Sequence, residues 1–417
     1  MCIPQPKQYI LDFEQLGLGL FVHWGLYSQL GKGEWYFDVN KDQMPMEEYQ
    51  KLMNTFTAED FDAEKFVLTA KNAGFKYITL TTRHHEGFSL FDTCGLNEFD
   101  APHSPAGRDI VKEFVDACHR HEIMPMLYHT TLDWWKEEFN TDFDKYLDYF
   151  HKSVEILCTN YGKIGGLWFD GNWSKPDADW KEDRLYGIIR KHQPEAMIIN
   201  NTGLHKRGET GNVELDSVTF ENGQAEPMDR RGMPKYVAAE MCHTINDHWG
   251  IGYADFNYKS PAQIIKSLCN CRKVGANYLM NIGPEAQGKI APIQQEIMSV
   301  IGRWMGIFGE AIYNGRPYVC KSAGENFILK SVDEKYLYIF AFDLGRKGSE
   351  DVVAQNGQYT GAYAFDLVED EIESIEWMDN GEQLKFIQGN GMLTVKFTGT
   401  DYGVSYVVRV AKAKIKG

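Results

Sequence analysis

Between residues 17 and 313 of this 417-residue chain, apolar β-type runs alternate about eight times with stretches of helical spacing. No other feature constrains the fold as strongly. Strands separated by helices or long connections pair in parallel and are buried on both faces. Strand-like segments are read at 17–25, 76–82, 124–129, 164–170, 196–201, 216–221, 236–242 and 277–282. Helical patterns lie at 61–72, 109–121, 143–161, 179–192, 260–273 and 292–308, and 202–215 reads as a polar, glycine-rich loop. Eight such units predict an α/β fold of the (β/α)8-like (TIM) barrel type. An open doubly wound sheet is the alternative, but no G-x-G-x-x-G follows the first strand.

From residue 316 the texture changes. Short alternating segments at 325–331, 335–342, 372–378 and 392–397 are separated by glycine and acidic turns. This pattern predicts a C-terminal antiparallel β-sandwich. The expected division is therefore a catalytic barrel over 1–315 and a sandwich over 316–417.

A formal net charge of −16 speaks against a nucleic-acid partner. No apolar run approaches the roughly 18 residues of a membrane span, so no membrane partner is expected. The eight cysteines lie mostly inside apolar segments without a zinc spacing, so most are expected as buried thiols. No charged and then apolar leader opens MCIPQPKQYILDFEQ. Together these features predict a cytoplasmic protein. Nothing in the sequence speaks to oligomeric state.

The stretch IGGLWFDGNW at 164–173 carries a buried-type strand that stops at Asp170, with Gly171 turning the chain away. Barrels of this type present their reacting groups at the C-terminal ends of the strands. The other predicted strand ends carry His23, His84 and His85, Tyr128 and His129, Asn200 and Asn201, Glu221, His243 and Asn281. Singly, each has a structural explanation: a capped turn, a hydrogen-bonded core histidine. Collected at one mouth with Trp168 and Trp173, they suit a polyhydroxylated ligand.

Two carboxylates on different strands suggest cleavage of a glycosidic bond, with one attacking the anomeric carbon or handling water and the other protonating the leaving oxygen. Asp170 is expected as the ionised partner and Glu221 as the acid, its proton affinity raised by burial and by the nearby charge. Glu214, Glu226 and Glu240 compete with Glu221, and spacing does not choose among them. One rival chemistry is a metal-dependent barrel hydrolase using His23, His84, His85, His129 and Asp170. It lacks an H-x-H on the first strand, and His84 and His85 would point to opposite faces if they extended a strand. A sugar-binding protein without catalysis is a third reading.

The sequence also resembles the α-L-fucosidases of glycoside hydrolase family 29. The matching motifs are GLGLFVHWGLYS at 17–28, GEWY at 33–36, YITLTTRHHEGF at 77–88, LYHTTLDW at 127–134, LWFDG at 167–171, YLMNIGPEAQGKI at 278–290 and GEAIYNGRP at 309–317. The resemblance implies an exo-acting retaining hydrolase of terminal α-linked L-fucose on oligosaccharides or glycoconjugates, with no metal and no cofactor. It implies Asp170 as nucleophile and, through DSVTFENG, Glu221 as acid/base. It further implies fucose contacts from His23, Trp35, His84, His85, Tyr128 and Trp168, with Trp249 of AAEMCHTINDHWGIGY helping to wall the pocket. Where some relatives place an arginine after strand five, this chain has Asn200-Asn201-Thr202-Gly203, a departure that bears on linkage preference, including α1,3/4 specificity. In a retaining enzyme the two carboxyls are expected about 5–5.5 Å apart.

Overall fold

The computed structural model describes every residue except Met1, Gly203, His205, Ala323 and 346–360. It divides into two compact units, Met1–Lys259 with Asn277–Met298, and Ser260–Ala276 with Ser299–Gly417.

The first unit is built on eight parallel strands in sequential order, closed into a barrel: β1 (Leu18–Val22), β2 (Tyr77–Arg83), β3 (Met124–Thr130), β4 (Gly166–Asp170), β5 (Met197–Asn200), β6 (Ser217–Thr219), β7 (Ala238–His243) and β8 (Asn277–Ile282). β8 returns to β1 in register from Leu18↔Tyr278 to Val22↔Ile282, which removes both sheet edges. The expected barrel is thus the observed one. Helices follow the first four strands at Ala63–Asn72, Ile110–Arg120, Phe143–Asn160 and Glu182–His192. The first three open on aspartates, Asp62, Asp109 and Asp142, whose carboxylates accept the backbone N–H three residues on. Such a cap stabilises a helix by roughly 1 kcal/mol.

After β5 and β6 the described residues form no helix. The chain instead makes long loops, and β5 meets β6 at one register position, Ile199↔Ser217. Glu221 sits on the loop after β6.

The barrel interior is packed by Phe21, Tyr77, Met126, Tyr128, Trp168, Ile199, Cys242 and Leu279. Gly19 makes the room for one of them, since a Cβ there would lie 2.2 Å from the Tyr77 ring. A helix absent from the sequence reading, Gln8–Leu16, adds Ile10 and Phe13 to the same cluster. Its Phe13 carbonyl accepts from Asn277 at the start of β8, so it stops the N-terminal end of the barrel.

The second unit contains the helix Pro261–Lys273, opened by a capping box between Ser260 and Gln263 as Pro261 at its first turn predicts. Its strands form two antiparallel sheets. One has the order β10 (Lys321–Ser322), β13 (Gly361–Asp366), β16 (Met392–Phe397), β15 (Lys385–Gly389). The other has the order β14 (Ile372–Trp377), β17 (Val408–Ile415), β12 (Tyr336–Phe342), β11 (Phe327–Ser331), β9 (Gly315–Pro317). Alternate residues Leu393, Val395 and Phe397 pack with Leu337, Ile339, Phe365 and Trp377, each such burial worth roughly 1.5–3 kcal/mol before entropy is counted. Five cysteines are buried, while Cys2 and Cys94 are exposed and Cys320 is half-buried. No described helix is long and apolar enough to cross a membrane.

Candidate active site

A cavity of about 210 Å³ opens at the C-terminal ends of the barrel strands. At roughly 30 Å³ per water it has the room of about seven waters, the scale of one sugar ring. Its lining includes His23, Trp35, His84, His85, Tyr128, Trp168, Asp170, Glu221 and Trp249, so every residue that the family resemblance implies for the site lines one space.

Asp170 is the last residue of β4 and turns inward with Trp168, two positions before it. Gly171 then takes φ 120°, a backbone that other residues rarely adopt, and a Cβ there would meet the Leu132 backbone nitrogen at 2.6 Å. The carboxylate is held from several sides. Oδ1 accepts from Trp173 Nε1 at 2.9 Å and Asn201 Nδ2 at 3.2 Å. Oδ2 lies 3.5 Å from His85 Nε2 and 3.4 Å from the Tyr128 hydroxyl. Burial alone would raise this carboxyl, but His85, Trp173 and Asn201 outweigh it and hold Asp170 below the ordinary aspartate value.

Glu221 behaves in the opposite way. Burial first, and then the charge of Asp170, push its carboxyl up to about 7. Asn201 Nδ2 donates to its Oε2 at 2.5 Å, while Asn201 Oδ1 accepts from Thr219 on β6 at 3.0 Å. One amide therefore bridges the two carboxyls.

The competing glutamates lie elsewhere. Glu240 is buried inside the barrel, accepting from Trp168 Nε1 at 2.9 Å and the Tyr77 hydroxyl at 2.5 Å, and burial pushes it to about 7. Glu214 faces Arg190, and Glu226 is exposed.

His23 is locked in one tautomer. Asn281 Nδ2 donates to the Trp249 carbonyl at 2.7 Å, which turns Asn281 Oδ1 toward His23 Nδ1 at 2.6 Å. Nδ1 must carry the hydrogen, so Nε2 is left as an acceptor. Burial holds His23 near 3 and His84 far below its ordinary value, so both remain neutral. His84 and His85 both reach the cavity with ring centres 4.2 Å apart. The strand ends at Arg83, and the two follow it in a turn, so the alternation of faces expected for an extended strand does not apply.

The walls are tied together by Glu34. Its Oε2 accepts the backbone N–H groups of Trp249 and Gly250 at 3.0 and 2.8 Å, while its chain neighbour is Trp35.

Some expected strand-end residues point away. His129 faces outward, with Nε2 at 2.8 Å from Ser153 on the Phe143–Asn160 helix. Asn200 donates to the Tyr186 hydroxyl, and His243 lies beside Tyr278. His129 of the metal alternative therefore lies outside the cavity that His23, His84, His85 and Asp170 line, and no group of three or more His, Cys, Asp or Glu among the described residues is arranged to hold an ion. The lining also holds Trp173 and Asn201, two of the residues expected at the mouth, and adds Phe21, Leu204 and Cys242. Trp173 was legible as an aromatic beside Asp170, but not as its hydrogen-bond donor.

Opposite proton affinities on two carboxyls facing one ring-sized cavity are what glycosidic cleavage demands, and the protein is a glycoside hydrolase. The alpha-L-fucosidase family model matches residues 5–310, and the chain belongs to that family. It is 30% identical over 343 residues to the tissue alpha-L-fucosidase of Mus musculus, covering 74% of this chain and 72% of the mouse protein. Among solved structures it is similar to alpha-L-fucosidase isoenzyme 1 from Paenibacillus thiaminolyticus, with a TM-score of 0.82 and 26% identity over 98% of this chain and 99% of that one. The fold is shared with an alpha-L-fucosidase from Bacteroides thetaiotaomicron, with a TM-score of 0.84 and 23% identity over 100% and 96% of the two chains.

Proposed function

We propose that Asp170 is the nucleophile and Glu221 the acid/base of a retaining exo-α-L-fucosidase acting on fucosylated oligosaccharides or glycoconjugates. The observation that carries this reading is the single Asn201 amide in contact with both carboxyls. The two bonded oxygens can be no farther apart than its two legs, 3.2 and 2.5 Å, laid end to end. That bound is compatible with the roughly 5–5.5 Å separation of the carboxyls in retaining enzymes.

In this mechanism fucose enters with its hydroxyls toward His23, His84, His85 and Tyr128. Neutral His23 Nε2 accepts from one of them. The C5 methyl packs against Trp35 and Trp249. Asp170 attacks C1 while Glu221 gives its proton to the departing oxygen, and a fucosyl ester forms on Asp170. Glu221, now ionised, takes a proton from water as that water attacks C1, and Asp170 leaves. Both carboxyls return to their starting states, and no metal or cofactor enters.

The test is incubation with an aryl α-L-fucoside and a panel of fucosylated oligosaccharides, with the anomer of the released sugar followed by NMR. Free fucose appearing first as the α-anomer is expected. The β-anomer first would rule out the double displacement, and no release from any member would leave a binding protein.

A further inference from the structure

A second concavity, of about 700 Å³, adjoins the first. It is formed by the segment after β4, residues 172–184, and by the loop after β5. The two spaces share Trp173, Asn201 and Leu204. Two of these three donate hydrogen bonds to Asp170 Oδ1, and Asn201 also holds Glu221. The groove therefore meets the cavity at its carboxyl end rather than at the His23–His84 end. A leaving group must depart past the acid, and this is where it would go.

The groove has more than three times the room of the cavity, enough for more than one further sugar ring. Its lining is net negative. Asp179, Glu182, Asp183 and Glu209 line it against Lys181 and Arg184. Lys181 is paired with Asp179 at 2.6 Å, and Arg184 with Asp148 at 2.5 Å. Glu182 is committed to Asn172 at 3.0 Å and Tyr186 at 3.2 Å. Asp183 and Glu209 are exposed, with Asn212 donating to the first at 3.2 Å and Lys206 lying 3.6 Å from the second.

We propose that this groove is the leaving-group subsite, that it takes a neutral oligosaccharide of more than one ring, and that its carboxylates discriminate against leaving groups carrying an anionic sugar. The inference rests on the fucosidase reading above and adds to it the class of aglycone. Like charges facing one another across an interface suppress the wrong partner more than they strengthen the right one.

The experiment compares three substrates: an aryl α-L-fucoside, a neutral fucosylated trisaccharide, and the same glycan with a sialic acid on its leaving part. kcat/KM for the two glycans, each divided by that for the aryl fucoside, is measured on the intact chain and on Asp183→Lys/Glu209→Lys. The native chain should prefer the neutral glycan, and the double variant should shrink that preference at least about five-fold. The native preference should also shrink between about 0.01 and 1 M salt, as the screening length falls from roughly 30 to 3 Å. A neutral-to-anionic ratio that is the same in both proteins and at both salts would overturn the proposal while leaving the fucosidase reading intact. Failure to release fucose from any of the three would instead overturn the reading on which it rests. Circular dichroism of the double variant keeps a folding defect from being mistaken for either result.

Discussion

Glu221 and Asp170 are joined through one side-chain amide, Asn201 Nδ2, at 2.5 and 3.2 Å. The proposed mechanism needs Asp170 ionised and Glu221 protonated at the same pH. Asp170 is held below the ordinary aspartate value and Glu221 is raised to about 7. Activity should therefore rise with pH through a limb below the ordinary aspartate range, set by Asp170, and fall through a limb near pH 7, set by Glu221. Asn201 lowers both carboxyls, so Asn201→Ala should move both limbs of the kcat/KM profile to higher pH, by about one unit or less. Limbs that stay in place would mean that the amide does not govern the proton affinities.

Asp170→Ala should cut fucose release from an aryl fucoside by about six orders of magnitude, as removal of a serine nucleophile does elsewhere. The thermal midpoint should change little, because the side chain sits at a cavity mouth and is 16% exposed. A variant that unfolds would show instead that the carboxylate is a structural keystone.

Glu221→Ala should lose about 10²–10⁴-fold on natural glycans, the range of general acid catalysis. It should lose much less on an aryl fucoside whose leaving group needs no proton, and azide should restore turnover by taking the place of water. Wild-type rates on natural glycans would move the acid role away from this residue. Glu240 would be a poor successor, since both its oxygens are committed inside the barrel.

Much of this site was legible because a barrel sends its chemistry to the ends of its strands. Asp170 stood out as a carboxylate ending an apolar run. The period of two could have gone further. With Trp168 and Asp170 facing in, the register Tyr128↔Trp168 and Thr130↔Asp170 turns Tyr128 inward and His129 outward. That register is a pairing between strands and is not written in either strand alone. Asn201 was visible as a polar strand end, but its bridging role depends on where a loop carries Glu221, and loops have no period. In the sandwich, β15 has no fully buried residue and β13 has only Phe365, so both alternate mostly between half-buried and exposed positions, and the contrast is weak. β17 is broken by Arg409, Lys412 and Lys414, of which Arg409 is buried through its pairing with Asp379 and its stacking on Trp377. The N-terminal helix earned no notice because only Ile10, Phe13 and Glu14 on it are buried.

Addition of EDTA, followed by desalting, should leave fucose release unchanged. In the proposed mechanism the two carboxyls supply both the nucleophile and the proton, and no group of three or more His, Cys, Asp or Glu among the described residues is arranged to hold an ion. Activity that is lost to chelator and restored by a divalent ion would refute the two-carboxylate mechanism.

Glu240→Gln tests the buried acid that Glu221 displaced from the mechanism. Glutamine can keep both contacts, its oxygen accepting from Trp168 Nε1 and its amide donating to the Tyr77 oxygen, so fucose release should stay near wild type. Stability should not. Burial raises Glu240 from the model-peptide range to about 7. A carboxyl whose folded pKa is raised binds its proton more tightly in the folded state. Its favourable contribution is whole below the unfolded value, about 4.3, and is lost as pH rises through about 7. Relative to the pH-indifferent glutamine, the wild type should therefore lose roughly 4 kcal/mol across that window. Thermal midpoints measured from about pH 4 to 8 should show the variant gaining on the wild type as pH rises. Parallel curves would mean that Glu240 is ionised in the fold, its charge carried by Tyr77 and Trp168 alone.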